Sequence, residues 1–185
     1  SACLVGSEMC IRDSYLTEDQ VAALLPVADA ITALEEAFIA LADGHAQVRP
    51  RQRVFAPTGV LQVMPASVNT ETGGGLGLKA YAVTRGGTRF VVLLFDPETG
   101  QLQALLEANR LGQIRTGAAS GLATKYMARS DAQTVGIFGT GRQARTQLAA
   151  VCAVRPIQQI RCYGRDAARR EQFALAMTAE LGVLV

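Results

Sequence analysis

The string Gly139-Thr140-Gly141-Arg142-Gln143-Ala144 joins an apolar run, Gln133 to Phe138, to a stretch with helical periodicity that reaches about Ala153. Two glycines and a small residue at this spacing suit a turn that cradles a pyrophosphate. Gly139 permits the tight turn, Gly141 lets main-chain N–H groups come close to the phosphates, and Ala144 keeps the helix near the strand. The helix start adds unpaired N–H groups and the positive end of its dipole. The bare spelling is a weak signal, because a purely structural turn can share it. Set between a strand and a helix, it points to a dinucleotide.

The second strand, Gln159 to Tyr163, decides which dinucleotide, because the residue at its end meets the adenosine ribose. A carboxylate there accepts from a 2′-hydroxyl, whereas a guanidinium suits a 2′-phosphate through paired, charge-assisted bonds. The chain reads Gly164-Arg165-Asp166, with Arg169 and Arg170 one turn on. Arg165 favours NADP; Asp166 argues for NAD unless it merely caps the next helix. The expected cofactor is therefore NAD(P), leaning to NADP.

Elsewhere reactive residues are sparse. His45 is the single histidine, and Cys3, Cys10, Cys152 and Cys162 form no CxxC pair, so no zinc ligand set exists and no metal is expected. Cys152 and Cys162 fall in apolar segments and read as small hydrophobes. By residue type alone, Lys79 reads as a strand lysine with its head in water. Arg51 and Arg53 read as a basic strand edge, and Arg115 as an exposed position in a helix.

These residues need elements to hold them. Thr17-Glu-Asp-Gln20 has the form of a capping box and opens a helix from Glu18 to Leu25. Pro26 precedes a second helix, whose stripe Ile31, Leu34, Phe38, Leu41 reads as core and ends at Asp43-Gly44. The period then changes. Strands are expected at Arg53–Phe55, Val60–Met64, Leu78–Val83, Arg89–Phe95 and Gln101–Leu106, with Gly73–Gly75 as a flexible break and Asp96–Gly100 as a hairpin turn. Residues 109–129 read as a helix whose Gly117-Ala-Ala-Ser-Gly121 segment lets another backbone approach closely. Beyond it come a strand, the glycine turn, a helix, Gln159–Tyr163, a helix from Asp166 to Leu181, and the start of a third strand at Val183–Val185. That order is half of a dinucleotide-binding sheet.

The expected fold is thus α/β: an α+β domain with its connecting helix over residues 15–130, then the first half of a Rossmann domain over 131–185. Residues 1–14 carry no period and resemble translated adaptor read-through, so they are set aside as a non-native scar. The composition suits this reading. In 185 residues, 49% are hydrophobic and 18% charged, which allows a proper core. Lys+Arg 18 against Asp+Glu 16 gives a charge of +2, too weak to imply a nucleic-acid partner. No apolar run approaches the roughly 18–20 residues of a membrane helix. No secretory signal opens the chain, and a cytoplasmic protein is expected.

Several segments together resemble the ornithine cyclodeaminase/mu-crystallin family, which includes archaeal-type alanine dehydrogenase and imine reductases. They are Tyr15-Leu-Thr-Glu-Asp-Gln-Val21, Met64-Pro-Ala66, Gly77-Leu-Lys79, Arg115-Thr-Gly-Ala-Ala-Ser120 and Gly139-Thr-Gly-Arg-Gln-Ala-Arg145. The resemblance runs from Tyr15 to the last residue, and it implies that residues 15–130 form a substrate and dimerisation domain. It implies that Lys79 contacts substrate and serves in proton transfer, and that Arg53, with Arg51 as the alternative, binds a substrate carboxylate. It also implies that Arg115 and Thr116 reach towards cofactor phosphate and substrate, and that Arg142 and Gln143 lie against the pyrophosphate.

The activity so implied is NAD(P)-dependent chemistry on a small amino or imino acid: oxidative deamination, imine reduction or cyclodeamination, by hydride transfer in a homodimer. The alternative is a non-catalytic protein that holds NADPH and a small ligand, as mu-crystallin does. Enzymes of this type resemble considerably longer chains, whose catalytic aspartate would fall beyond Val185. The expectation is a truncated fragment, inactive alone.

Overall fold

The computed structural model describes residues 15–71 and 73–185. The scar expected at 1–14, with Cys3 and Cys10, lies outside the described residues. The chain divides into two compact units, one built from residues up to Val21 with Ala40–Asn109, the other from Ala22–Ile39 with Arg110–Val185.

The first unit is a sheet entered through a short helix. β1 (Tyr15–Leu16) leads to α1 (Glu18–Leu24), where the Thr17 N–H donates to Gln20 Oε1 at 3.0 Å and the Gln20 N–H to Thr17 Oγ1 at 3.4 Å. The capping box therefore forms as its spelling predicts. A second exchange ties this start to the far end of the sheet. Glu107 accepts from the Tyr15 hydroxyl at 2.7 Å and from the Glu18 N–H at 2.9 Å. Glu18 in turn accepts from the Asn109 main-chain N–H at 2.8 Å and its side-chain amide at 2.6 Å. Each carboxylate thus satisfies donors at the start of a helix, where N–H groups have no intrahelical partner.

After α2 (Val27–Ala42) come β2 (Ala46–Val48), β3 (Gln52–Ala56), β4 (Gly59–Thr70), β5 (Gly73–Thr84), β6 (Gly87–Phe95) and β7 (Leu102–Glu107). Their order is β1-β7-β6-β5-β4-β2, with β3 also on β4. All neighbours are antiparallel except β1 with β7. The hairpin turn at Asp96 closes as expected, its Oδ1 accepting from the N–H groups of Glu98 at 3.0 Å and Thr99 at 2.7 Å. Gly73–Gly75 is not a flexible break. It opens β5, with Gly73, Gly74 and Gly75 opposite Thr70, Asn69 and Val68. Gly73 adopts φ +145°, a backbone that glycine takes without strain.

The second unit holds α3 (Asn109–Met127, from Arg110 on), β8 (Thr134–Phe138), α4 (Arg142–Val154), β9 (Gln159–Tyr163) and α5 (Ala167–Leu181). The parallel pair β8–β9 runs from Thr134 opposite Gln159 to Phe138 opposite Tyr163. Of the third strand only Leu184 pairs, by one parallel bridge to Gln159, which puts β9 between β8 and Leu184 as in the front half of a Rossmann sheet. Ala144, Leu148, Ile157, Ile160, Phe173 and Met177 form its core. Cys152 and Cys162 pack against that core half-buried, and burial pushes the Cys152 thiol pKa up.

The order of elements suggested a first domain running to residue 130 with its connecting helix, and the structure groups residues from Arg110 on with the second unit. The cause lies in α3. A Cβ on Gly117 would run into the main chain of Thr146, and one on Gly121 would stand 2.8 Å from the Ala150 carbonyl oxygen. Only glycine lets α3 and α4 touch backbone to backbone. Ala30, Ile31, Ala118, Leu122 and Ala150 close the contact. The far end of α3 is then fastened by Arg155, whose guanidinium donates to the carbonyls of Thr124, Lys125, Ala128 and Arg129 at 2.8–2.9 Å. The Thr124 and Arg129 carbonyls also accept from the Ala128 and Ala132 N–H groups, and one side chain gathers all four at the helix end.

The stripe on α2 is only half core. Ile31 is buried, but Phe38 is 54% and Leu41 45% exposed. Beyond Leu34 the partner of α2 becomes polar: Glu35 accepts from Lys125 Nζ at 2.6 Å and from the Tyr126 hydroxyl. The hydrogen bond from Lys125, then that from Tyr126, holds the Glu35 carboxyl below the usual glutamate range. A lowered carboxylate pKa contributes stability above the unfolded value, lost as pH falls through the folded one. Acid unfolding of Glu35→Gln, followed by circular dichroism, should therefore lose part of the stability gradient below about pH 4.5 that the parent chain shows. No helix among the described residues is long and apolar enough to cross a membrane.

Candidate functional site

The glycine turn of the second unit has the geometry its spelling implies. β8 ends at Phe138, and Gly139 turns with φ +103° while its N–H donates to the Tyr163 carbonyl at 2.7 Å. Gly141 is the N-cap of α4, in extended conformation, and offers no side chain to the amides behind it. A Cβ on Gly139 or Gly141 would meet nothing of the protein within 4 Å. The space beside the turn is open, and although the Ala144 N–H donates to the Gly141 carbonyl at 3.1 Å, no side chain caps the Arg142 and Gln143 amides, the arrangement that receives a phosphate. Ala144 is buried in the core, so its small side chain seats α4 on the sheet. Arg142 and Gln143 lie exposed at the first two positions of the helix.

Thr140 packs towards the end of β9. A Cβ on Gly164 would lie 3.3 Å from both Thr140 Cγ2 and Oγ1, so the bare glycine is what lets the two strand ends meet. Two basic or acidic residues here already have work. Asp166 caps α5, its Oδ1 accepting the Arg169 N–H at 3.0 Å, and Arg170 donates to the Gly164 carbonyl at 2.8 Å. Arg165 is exposed and, among the described residues, makes no hydrogen bond or ion pair. The tension between Arg165 and Asp166 left by the sequence is thereby eased: the aspartate has a capping partner and the guanidinium is open.

Arg115 is exposed in α3, and the Thr116 hydroxyl donates to the Gly112 carbonyl at 2.6 Å. The next residue, Gly117, meets Thr146 on α4. Packing thus sets this stretch of α3 beside the early turns of α4, though no hydrogen bond joins Arg115 or Thr116 to the glycine turn.

The first unit gathers a different group. Opposite positions put Arg53, Gln62, Tyr81 and Phe90 in one row across β3 to β6, with Met64, Lys79 and Val92 in the next row on the same face. Lys79 Nζ stands 4.7 Å from the Phe90 ring centroid and 5.5 Å from that of Tyr81. Arg51 lies with its guanidinium carbon 5.8 Å from the Tyr81 centroid. Both arginines left open by the sequence thus share the face of Lys79. No aspartate or glutamate of β3 to β7 falls on that face. Three cations gathered on one face of a sheet, two of them against aromatic rings, suit an anion. Gln62, Tyr81 and Phe90 were not singled out from the sequence. Tyr81 was legible in principle, two residues beyond Lys79 in a strand and so on its side.

A family model described as the ornithine cyclodeaminase/mu-crystallin family matches residues 12–185. Alanine dehydrogenase of Archaeoglobus fulgidus is 35% identical over 155 residues, which are 80% of this chain and 47% of that protein. A solved structure of Thermococcus litoralis Delta(1)-pyrroline-2-carboxylate reductase, in complex with NADH and L-proline, matches with a TM-score of 0.82 and 34% identity. It covers 92% of this chain and 55% of that one. An archaeal alanine dehydrogenase dimer with bound NAD matches with a TM-score of 0.82 and 32% identity, over 92% of this chain and 54% of that one. The chain spans about half the length of the curated relatives it matches.

Proposed function

The chain belongs to the ornithine cyclodeaminase/mu-crystallin family, and on that premise we propose that the whole protein is an NAD(P)-dependent enzyme acting on a small amino or imino acid. The observation that carries this reading is the open glycine turn between parallel β8 and α4, with the amides of α4 uncapped and room beside Gly141. The residues fit a dinucleotide. Gly139, Thr140, Gly141, Arg142, Gln143 and Ala144 would line its pyrophosphate, and Arg115 and Thr116 would support the phosphates from α3. A bound nicotinamide supplies or accepts the hydride.

The chain's own side chains do the rest. Arg53, rather than the ring-stacked Arg51, grips the substrate carboxylate, since a guanidinium fork matches two carboxylate oxygens. Lys79 contacts the substrate and moves a proton at its nitrogen through Nζ. The relatives support a substrate of this class, since one was solved with L-proline and NADH. Oxidative deamination, imine reduction and cyclodeamination all use this equipment. We also propose a cytoplasmic homodimer, a reading supported by the archaeal relative solved as a dimer.

The cofactor is NADP, read by Arg165, because the acidic neighbour Asp166 is occupied as a helix cap. Fluorescence titration of the 185-residue chain with NADPH and NADH tests both parts. Arg165→Ala should weaken NADPH about 10-fold and NADH little, the size of one lost charge-assisted contact. Equal losses would remove the NADP reading, and no binding of either nucleotide would remove the cofactor site. Turnover of NADPH with pyruvate or a cyclic imine separates an enzyme from a protein that only holds NADPH and a small ligand.

A further inference from the structure

We propose that Gln62 and Tyr81 are positioning residues that fix the Arg53 guanidinium so that only its end-on fork is offered to a carboxylate. The inference rests on the reading of Arg53 as the carboxylate-binding arginine.

Gln62 is 7% exposed in the middle of β4, a place where an amide must find partners. Its Oε1 accepts from the Tyr81 hydroxyl at 2.9 Å and from Arg53 Nε at 3.4 Å. Both lone pairs of that oxygen are engaged, and both donors come from the strands flanking β4. Tyr81 is buried and has its ring 4.8 Å from Phe90, so it cannot swing away. Tyr81 therefore orients Gln62, and Gln62 orients Arg53.

The consequence for Arg53 is geometric. A guanidinium can meet a carboxylate side-on, through Nε and one Nη, or end-on, through both Nη groups. With Nε turned to Gln62, the end-on pair is the one left. The Tyr81 ring also lies close to Lys79 Nζ and to Arg51. One residue thus meets all three cations of the face, two through its ring and the third through its hydroxyl and Gln62. Arg51 has no such tether. That difference is why Arg53 and not Arg51 is pre-set, and pre-setting is what lowers the ordering cost of binding.

The test uses the 185-residue chain, the Arg Nε–H signals in 15N NMR, and titration with L-proline. In the parent chain the Arg53 Nε–H should be resolved and slow to exchange. Gln62→Leu should broaden it and weaken L-proline about 10-fold, one hydrogen bond's worth of ordering. Tyr81→Phe, which keeps the ring, should weaken L-proline about 3-fold. Gln62→Glu covers the case in which the leucine variant does not fold: it should keep the Arg53 signal yet weaken L-proline, because the new carboxylate competes for the guanidinium.

An Arg53 signal that is the same in the parent and in folded Gln62→Leu would overturn the inference. So would unchanged L-proline affinity in Gln62→Leu when Arg53→Ala abolishes binding, a result that leaves the substrate reading intact. L-proline binding that is equal, or absent, in the parent, Arg53→Ala and Lys79→Ala removes the substrate reading instead. The Arg53 signal then still decides whether Gln62 holds the guanidinium.

Discussion

Gly141→Val is expected to lower NADPH affinity about 100-fold while costing the fold no more than about 1 kcal/mol, the loss of a preferred N-cap residue. The estimate is the loss of two charge-assisted phosphate contacts at about 1.5 kcal/mol each, or about 3 kcal/mol. The fold should lose much less than the ligand does. Gly141 sits at φ −87°, ψ −177°, an extended conformation that suits a β-branched residue. A Cβ there meets no protein atom within 4 Å. The same empty space is where a phosphate must come close to the main chain, so the added methyls block the ligand alone. Fluorescence titration with NADPH, beside a melting curve, checks both halves. Unchanged affinity would mean that the turn does not cradle the pyrophosphate.

Gly117→Ala should do the reverse, destabilising the second unit by about 3 kcal/mol through one added methyl group. Its Cβ would collide with the carbonyl and main chain of Thr146, and its second-nearest class of contact, Thr146 Cβ, is already at 2.9 Å. Main chain cannot rotate aside as a side chain does, so α3 and α4 must separate. That opens the contact made by Ala30, Ile31, Ala118, Leu122 and Ala150. Gly112→Ala is the matched control on the same helix. A Cβ there meets nothing within 4 Å, and alanine should gain up to about 1 kcal/mol of helix preference. Urea unfolding of the two variants should move in opposite directions. A mild effect at Gly117 would show that the helices are not held at backbone distance.

The elements that were legible in the sequence are those fixed by neighbours along the chain. The capping box at Thr17–Gln20, the turn at Asp96 and the strand–turn–helix around Gly139 each close through residues a few positions apart. The small-residue run Gly117–Gly121 announced a close backbone approach, though not which helix would make it. What was not legible depends on register. Gln62 becomes a partner of Arg53 and Tyr81 only when β3, β4 and β5 align, and nothing in any one strand states that alignment. Gly73–Gly75 misled because three glycines usually weaken a strand, whereas here β4 supplies a full complement of pairs. Phe38 and Leu41 keep the helical spacing of a core stripe, yet the polar group around Glu35 interrupts what the stripe packs against. Arg155 was not singled out, because its four carbonyl partners in and just beyond the last turn of α3 lie more than 25 residues away in sequence.

The carboxylate exchange at the start of the first unit bears on how the chain is made. Glu18 receives its cap from Glu107, 89 residues later. At about 5–20 residues per second of synthesis, α1 waits about 5–20 s on the ribosome for that partner. Through this interval its first turn is held only by the Thr17–Gln20 box, while Val21, its one buried residue in the fold, stays unburied. α1 is thus among the last parts of the first unit to be secured, although β2 to β7 follow it in the chain, and the closing of β7 beside β1 completes both at once.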